Sequence, residues 1–185
     1  MKIWRELLGY VKVIVIVVVI TLVINNVVLI NAKIPSPSME KTLMVKDRLF
    51  GFRLAYGINL DLFGYKISEK FKDPERFDIV IFKYPDDESR LFIKRVIGLP
   101  GETVQIKNGQ IYIDDKPLEA DKGLGQVSLA GLAENPVVLE EDEYFLLGDN
   151  RDSSEDSRFV KIGNVKRRQI RGKVWLRLIP FIDFK

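Results

Sequence analysis

The feature that most constrains this chain is an almost uninterrupted apolar run, VKVIVIVVVITLVINNVVLI, over residues 11–30. Its length is about the 20 residues that a helix needs to cross the hydrocarbon core of a bilayer. Only four polar residues interrupt it: Lys12, Thr21, Asn25 and Asn26. We therefore predict an N-terminal tail at 1–10, a transmembrane helix at 11–30 and one folded domain at 31–185.

A cleaved secretory signal is the alternative interpretation of the run, because Lys2 and Arg5 give it a charged start. Such a signal ends at an A-x-A-like site, and the nearest approximation, Ile30-Asn31-Ala32, has a bulky residue where a small one is required. We therefore favour an uncleaved anchor. Basic residues both precede and closely follow the run, so charge alone does not determine which end faces the cytoplasm.

After the apolar run the pattern changes to short segments typical of β-strands. The dipeptide Asn108-Gly109 is the strongest short-range signal for a two-residue hairpin turn. The predicted fold class is mainly β: an N-terminal transmembrane helix followed by a predominantly antiparallel β domain. The predicted strands are Asp78–Lys83, Leu91–Ile97, Thr103–Lys107, Gln110–Ile113, Glu143–Leu147 and Lys173–Leu178.

Two absences from the composition limit the chemistry: the 185 residues include no histidine and no cysteine. Disulfides and thiolate metal ligands are therefore excluded, and the lack of imidazole disfavours a zinc site. The net charge of +3 is small and no long basic run is present, so nucleic acid is not an expected partner. We expect no metal and no cofactor.

Three polar segments carry the residues that could do chemistry. Motif 1 is Pro35–Leu43 (PSPSMEKTL), motif 2 is Lys94–Glu102 (KRVIGLPGE) and motif 3 is Gly148–Arg158 (GDNRDSSEDSR). Ser38 lies in motif 1, shortly after the apolar run. If Ser38 is a nucleophile, its proton cannot pass to an imidazole, so the base is a lysine or a carboxylate, or there is no base.

These motifs, in this order and behind an N-terminal apolar span, resemble those of the type I signal peptidases, which are membrane-anchored serine proteases that remove signal peptides from secreted proteins. The resemblance extends from the apolar run to the last predicted strand. It implies a catalytic domain of signal-peptidase type. The short interval between motifs 2 and 3 is similar to that of the compact enzymes of Gram-positive and related bacteria.

The resemblance also implies roles for individual residues. It makes Ser38 the nucleophile and Lys94 the general base. It places the Ser36 hydroxyl and the Ser38 backbone N–H in the oxyanion hole, and it makes the Ser154 hydroxyl hold the lysine amine. The charged residues that it implies as support around the site are Arg95, Asp149, Asp156 and Arg158.

Lys94 can act as a base only if its pKa is lowered. A free lysine has a pKa of ~10.4, so under about one in a thousand is neutral at pH 7. Burial beside apolar neighbours can lower that pKa to ~8, at a cost of roughly 3 kcal/mol. Alternation along the predicted strand places Lys94 on the inward face and Arg95 on the outward face.

Three positions depart from the family pattern. Lys41 stands where the family usually has proline, and Lys46 and Phe77 stand where it usually has glycine. None of these departures removes a catalytic group. They leave the local turn geometry open.

Each motif also has a purely structural interpretation. The PSPS segment can be a polar linker, Lys94 a solvent-facing lysine, and motif 3 a solvated turn or a calcium loop, although it lacks EF-hand spacing. A cytosolic self-cleaving repressor-type protease has a similar Ser-Lys pair, but it would need a DNA-binding or partner module where this chain has its span. The non-enzymatic alternative is a catalytically inactive, membrane-tethered β binding module.

From the resemblance we expect a membrane-anchored serine endopeptidase that cleaves N-terminal signal peptides from secreted preproteins. Its partners would be those signal peptides, the lipid bilayer and, as a candidate, the secretion translocon. It would be a single-pass protein of the cell membrane. Residues 1–10 would be cytoplasmic and the catalytic domain extracytoplasmic.

Overall fold

The N-terminal part of the chain is helical. The structure, a computed structural model, describes residues 2–62, 65–85, 87–119, 121 and 126–178. Helix α1 comprises Lys2–Val23 and continues as a π-helical turn at Ile24–Val28. By length and composition, the segment Glu6–Val28 can cross a membrane, and its apolar window is not buried against the rest of the chain.

Thirteen strands follow the helix in the described part of the chain, and their pairings are antiparallel. This arrangement confirms the predicted fold class. The strands are β1 (Leu29–Lys33), β2 (Arg48–Phe52), β3 (Gly57–Leu62), β4 (Tyr65–Lys70), β5 (Ile79–Tyr84), β6 (Asp87–Gly98), β7 (Thr103–Lys107), β8 (Gln110–Ile113), β9 (Lys116–Pro117), β10 (Val137–Val138), β11 (Glu143–Leu147), β12 (Val165–Lys166) and β13 (Ile170–Leu178).

The end of the helical segment differs from the end of the predicted span. The helical turns end at Val28, whereas Leu29 and Ile30 belong to β1 and pair with β2. Ile30 is only 2% exposed and packs in the core of the β domain. A buried strand and a transmembrane helix are both continuously apolar, so the sequence pattern does not show where one ends and the other begins.

Seven strands form the main sheet, in the order β1-β2-β13-β5-β6-β11-β12. A second, four-stranded sheet has the order β10-β7-β8-β9, and β3 and β4 form a separate hairpin. Strand β6 contains the first residues of motif 2 and lies inside the main sheet, between β5 and β11. Arg95 is paired on both sides, with Ile79 of β5 and Leu147 of β11, whereas Lys94 is paired with Val80 of β5.

The hairpin predicted at Asn108-Gly109 is confirmed. Strands β7 and β8 pair with Lys107 opposite Gln110. Asn108 and Gly109 both have positive φ angles, 50° and 77°, as a two-residue type I′ turn requires.

Apolar side chains cover both faces of the main sheet near motif 2. In β5, Val80 and Phe82 pack into one core cluster, whereas Ile81 packs into another together with Ile30 and Met39. Burial on both faces explains why the β5 sequence is continuously apolar rather than alternating. Met39 belongs to motif 1, so this packing attaches motif 1 to the sheet.

The three departures from the family pattern all have left-handed backbone conformations. The φ angles are 70° at Lys41, 76° at Lys46 and 71° at Phe77. Lys46 and Phe77 therefore keep a conformation that glycine adopts without cost. Proline is restricted to φ near −65° and cannot adopt the angle found at Lys41, so the turn after Ser38 differs here from one that contains proline.

Candidate active site

Motif 1 forms a short 3-10 turn at Pro37–Met39, which holds Ser38. Pro37 is the first residue of this turn, where its fixed φ suits a helical conformation. On one side the turn is attached to the core through Met39, which is 1% exposed. On the other side the backbone N–H of Asn150, in motif 3, donates a hydrogen bond of 3.1 Å to the carbonyl of Ser38. Ser38 is therefore fixed between the core and motif 3.

Lys94 approaches Ser38 from the neighbouring strand β6. Its Nζ donates a hydrogen bond of 2.8 Å to Ser38 Oγ and another of 3.1 Å to the carbonyl of Ile93. Both partners are buried, with Lys94 3% and Ser38 6% exposed. The structure thus brings together the two residues that the sequence analysis names as nucleophile and base, although 56 positions separate them in the sequence.

Burial lowers the pKa of Lys94 to about 8. The charges of Asp156, Glu155 and Asp149 act in the opposite direction and favour the ammonium form, but burial has the larger effect. At pH 7 roughly one Lys94 in ten is then neutral, compared with under about one in a thousand for a free lysine. The site holds an amine that can accept a proton near neutral pH.

Ser36 places a second hydroxyl beside that of Ser38. Its Oγ lies 3.3 Å from Ser38 Oγ. Ser36 is exposed whereas Ser38 is buried, so the Ser36 hydroxyl lies on the open side of the pair.

Ser154 and Gly148 connect motif 3 to motif 1. A Cβ atom on Gly148 would lie 2.1 Å from Ser154 Oγ and 2.5 Å from the carbonyl oxygen of Ser38. Only glycine therefore allows motif 3 to approach Ser38 so closely. Ser154 Oγ is buried and forms no hydrogen bond within the part of the chain that the structure describes. The bond from Ser154 to Lys94 that the resemblance implies stays a prediction.

Arg95 forms a buried ion pair with Asp149. Its Nε and Nη2 donate to the two carboxylate oxygens at 2.7 and 2.6 Å, and Thr42 Oγ1 donates to Asp149 at 2.5 Å. The expectation that Arg95 faces outward is wrong, because it is only 6% exposed. Alternation holds along β6, but motif 3 covers the second face, so residues on both faces are buried.

Asp156 and Arg158 form a second buried pair, within motif 3. Arg158 Nε donates to Asp156 at 2.8 Å, and Asp156 also accepts the backbone N–H of Gly148 at 3.1 Å. The Arg158 guanidinium further donates to the carbonyls of Leu129 and Arg151. These contacts fix the shape of motif 3 and act on Lys94 only through charge. Asp149 and Asp156 are each paired with an arginine, and among the described residues no group of three or more carboxylates is placed to hold a metal ion.

Arg151 and Thr42 also belong to the site, although the sequence motifs predict no role for either. Arg151 is 1% exposed, donates to the carbonyl of Gly148 at 3.0 Å and forms an ion pair with Asp121. Thr42 connects motif 1 to the Arg95–Asp149 pair. Both residues lie inside the motifs, and that position is the signal that could have marked them.

Sequence comparisons with known proteins point to one family. The sequence model of the family described as "Signal peptidase, peptidase S26" matches residues 7–179. The chain is 35% identical to the "Probable signal peptidase I-2" of Synechocystis, over 96% of this chain and 74% of that protein. It is 33% identical to the "Signal peptidase I" of Pseudomonas aeruginosa, over 86% of this chain and 69% of that protein. The crystal structure of a signal peptidase I from Enterococcus faecalis aligns with a TM-score of 0.45 and 33% identity, over 56% of this chain and 98% of that one.

Proposed function

The chain belongs to the signal peptidase family, peptidase S26, and we propose that it is a membrane-anchored serine endopeptidase. Its proposed reaction is the removal of N-terminal signal peptides from secreted preproteins. Ser38 is the proposed nucleophile and Lys94 the proposed general base. The contact of 2.8 Å between Lys94 Nζ and Ser38 Oγ, at a buried position, carries the proposal. In a chain without histidine, a lysine with a pKa of about 8 can activate a serine.

In the first half of the reaction, Ser38 forms an ester with the substrate. Neutral Lys94 accepts the Ser38 hydroxyl proton while Oγ bonds to the carbonyl carbon of the scissile peptide. The ammonium of Lys94 then donates that proton to the leaving amine, and the carbon–nitrogen bond breaks. In the second half, Lys94 accepts a proton from water and the hydroxide attacks the carbonyl carbon of the ester. The bond between that carbon and Ser38 Oγ then breaks, which releases the signal peptide with a free carboxyl group, and Lys94 returns the proton to Ser38 Oγ.

The oxyanion that forms during each attack needs hydrogen-bond donors. The proposed donors are the Ser38 backbone N–H and the Ser36 hydroxyl, since Ser36 Oγ lies beside the nucleophile on its open side. Loss of one donor of this kind typically lowers the rate by ~10²–10³. Ser154 is the proposed contact that holds the Lys94 amine, and the Arg95–Asp149 and Asp156–Arg158 pairs are the proposed support beneath it.

The substrate is proposed to bind as an added strand on β6. One edge of β6 pairs with β5 from Asp87 to Arg95, whereas β11 pairs with the other edge only from Arg95 to Gly98. Among the described residues, that second edge is open before Arg95 and ends next to Lys94. An extended peptide can pair with it through backbone hydrogen bonds, which suits many unrelated sequences. By family resemblance, small residues at the first and third positions before the scissile bond would supply the selectivity.

The helical segment ending at Val28 is the proposed anchor, with the catalytic domain on the extracytoplasmic face. The ten residues from Val28 to Ser38 reach at most about 35 Å when extended. The site then lies near the membrane surface, where the cleavage site of a signal peptide emerges. The secretion translocon is a candidate neighbour there.

The mechanism is tested with two substitutions in the full chain, assayed with a preprotein in detergent or lipid. Ser38→Ala and Lys94→Ala should each abolish cleavage and leave the far-ultraviolet circular dichroism unchanged. The exposed residues Ser128 and Lys161 offer matched controls, Ser128→Ala and Lys161→Ala, which should cleave normally. Normal cleavage by either active-site variant would refute the mechanism. A wild-type chain that never cleaves would favour the inactive binding module.

The orientation is tested separately, because a chain without cysteine accepts single labelling sites. A membrane-impermeant maleimide added to intact cells should label Lys161→Cys and should not label Lys2→Cys until the membrane is opened. The reverse pattern would contradict the proposed orientation.

A further inference from the structure

A cavity of about 300 Å³ lies beside the point where the helical segment ends. Val27, in the π-helical turn, forms part of its wall. The turn after β2 contributes Arg53 and Leu54, and the beginning of β3 contributes Ile58. Such a volume is at the lower end of the range for small-molecule sites and can hold a phosphate group with part of its ester.

The lining of the cavity is strongly basic. Two carboxylates, Glu69 and Asp142, face five cations. The cations are Arg53, Lys70, Arg167, Arg168 and Arg171. A concave site with an excess of positive charge attracts anions.

The chain neutralises only some of these cations. Lys70 and Arg167 both pair with Asp73, at 2.8 and 3.4 Å. Arg53 instead donates to an uncharged group, the carbonyl of Leu29, at 3.1 Å. Among the described residues, Arg168 forms no hydrogen bond or ion pair and is exposed. Positive charge therefore remains inside the cavity.

Two of the arginines are brought close to each other by the fold. Arg171 lies at a β-bulge, where the pairing of β13 with β5 shifts between Ile170 and Gly172, and a bulge redirects the side chain it carries. A Cβ atom on Gly172 would lie 2.6 Å from the carbonyl of Phe52, so β13 approaches the backbone beside Arg53. Burial and the charge of Arg171 both lower the pKa of Arg53. A bound anion would relieve this repulsion.

We propose that this cavity binds the phosphate of an anionic lipid headgroup. The inference rests on the membrane anchoring proposed above. Val27 belongs to the segment Glu6–Val28 that can span the bilayer, and Arg53 is bonded to the residue that follows this segment. The cavity is therefore at the depth of the headgroups, and planar guanidinium groups match phosphate oxygens in geometry. A lipid held there orients the catalytic domain against the membrane.

The test counts lipids bound to the full chain. The protein is released from mixed detergent micelles into a mass spectrometer, and retained phosphatidylglycerol is compared with retained phosphatidylcholine. The wild type should retain one phosphatidylglycerol. The double variant Arg53→Gln/Arg171→Gln should bind this lipid more weakly, with the affinity lowered at least about tenfold for each of the two guanidinium groups removed. A charge-matched control, Lys107→Gln/Lys161→Gln, should retain it as the wild type does.

Arg168→Gln is the second variant, because exposed Arg168 can be replaced without loss of a contact and should also weaken retention. Equal retention of the two lipids by the wild type, or undiminished retention by a folded cavity variant, would overturn the proposal. If sn-glycerol 3-phosphate displaced the bound phosphatidylglycerol at a concentration equal to that of the lipid, the cavity would be a site for a soluble phosphate ester and the proposed lipid ligand would be wrong.

Cleavage in neutral detergent separates this inference from the proposed function. Both cavity variants should cleave a preprotein at the wild-type rate there, because the cavity contains no catalytic group. Ser38→Ala should retain the lipid although it cannot cleave. Loss of detergent cleavage in a folded cavity variant would contradict a separate lipid site.

Discussion

Replacing Lys94 with methionine should remove catalysis and stabilise the protein. Burial lowers the pKa of this lysine from 10.5 to about 8, and a tenfold change in an equilibrium corresponds to about 1.4 kcal/mol. The fold therefore carries a cost of about 3 kcal/mol at pH 7 for enclosing this amine. Methionine also loses the hydrogen bonds to Ser38 and Ile93, each contributing about 1 kcal/mol. The expected net gain at pH 7 is therefore about 1 kcal/mol.

The gain should depend on pH in a defined window. The folded state has the lower pKa, so between pH 8 and 10.5 the unfolded chain binds a proton that the folded chain does not. The cost is complete below pH 8, decreases as the pH rises through this window and disappears above it. Above pH 10.5 the wild type should be the more stable protein, because it keeps the two hydrogen bonds.

The measurement is urea unfolding of the full chain in neutral detergent, followed by circular dichroism from pH 7 to pH 10.5. The quantity to compare is the difference in the free energy of unfolding between Lys94→Met and the wild type, because the contributions of the other lysines cancel in that difference. Lys161→Met, at an exposed position, should show no such window. A pH-independent difference, or a variant less stable than the wild type at pH 7, would refute the reasoning that Lys94 has a pKa lowered by burial.

Three further predictions concern catalysis and backbone strain. The acid limb of the pH profile of kcat/KM should have an apparent pKa of about 8. Glu155→Gln should move this limb to lower pH, because the Glu155 carboxylate raises the pKa of Lys94. The exposed control Glu141→Gln should leave the limb in place. Ser36→Ala should lower kcat by ~10²–10³ with little change in KM. A raised KM with unchanged kcat would mean that Ser36 binds the substrate and the transition state equally, and it would argue against an oxyanion donor. Lys46→Gly should raise the free energy of unfolding by about 0.5–1 kcal/mol, because glycine adopts the left-handed backbone conformation without strain. Phe77 has a similar φ, but Phe77→Gly should lower the free energy of unfolding because the Phe77 side chain packs against the core. Thermal unfolding of the two variants and the wild type measures both changes.

Local patterns predict those elements whose cause is local. The Asn108-Gly109 turn needs only two residues that tolerate positive φ, and the structure has that turn. The boundary between the helical segment and β1 has no local signal. Ile30 becomes a strand residue because it fills the core beside Ile81, a partner 51 positions away.

The surroundings of Arg95 show a second limit. Alternation correctly separates Lys94 and Arg95 onto opposite faces of β6, but it cannot say what covers each face. Motif 3 provides Asp149 for Arg95, and Asp149 is also held by Thr42 from motif 1. An arginine that looks solvent-facing in a strand pattern is buried because two distant segments meet over it.

The sequence alone determined three things: an apolar segment long enough to span a membrane, a family, and the absence of any imidazole, which leaves lysine as a candidate base. It could also name Ser38 and Lys94, but only by resemblance. The tertiary structure alone decided that their side-chain atoms lie 2.8 Å apart, and that burial lowers the pKa of the lysine to about 8. The physical reason is that desolvation depends on every group packed around an amine, and those groups come from segments far apart in the chain.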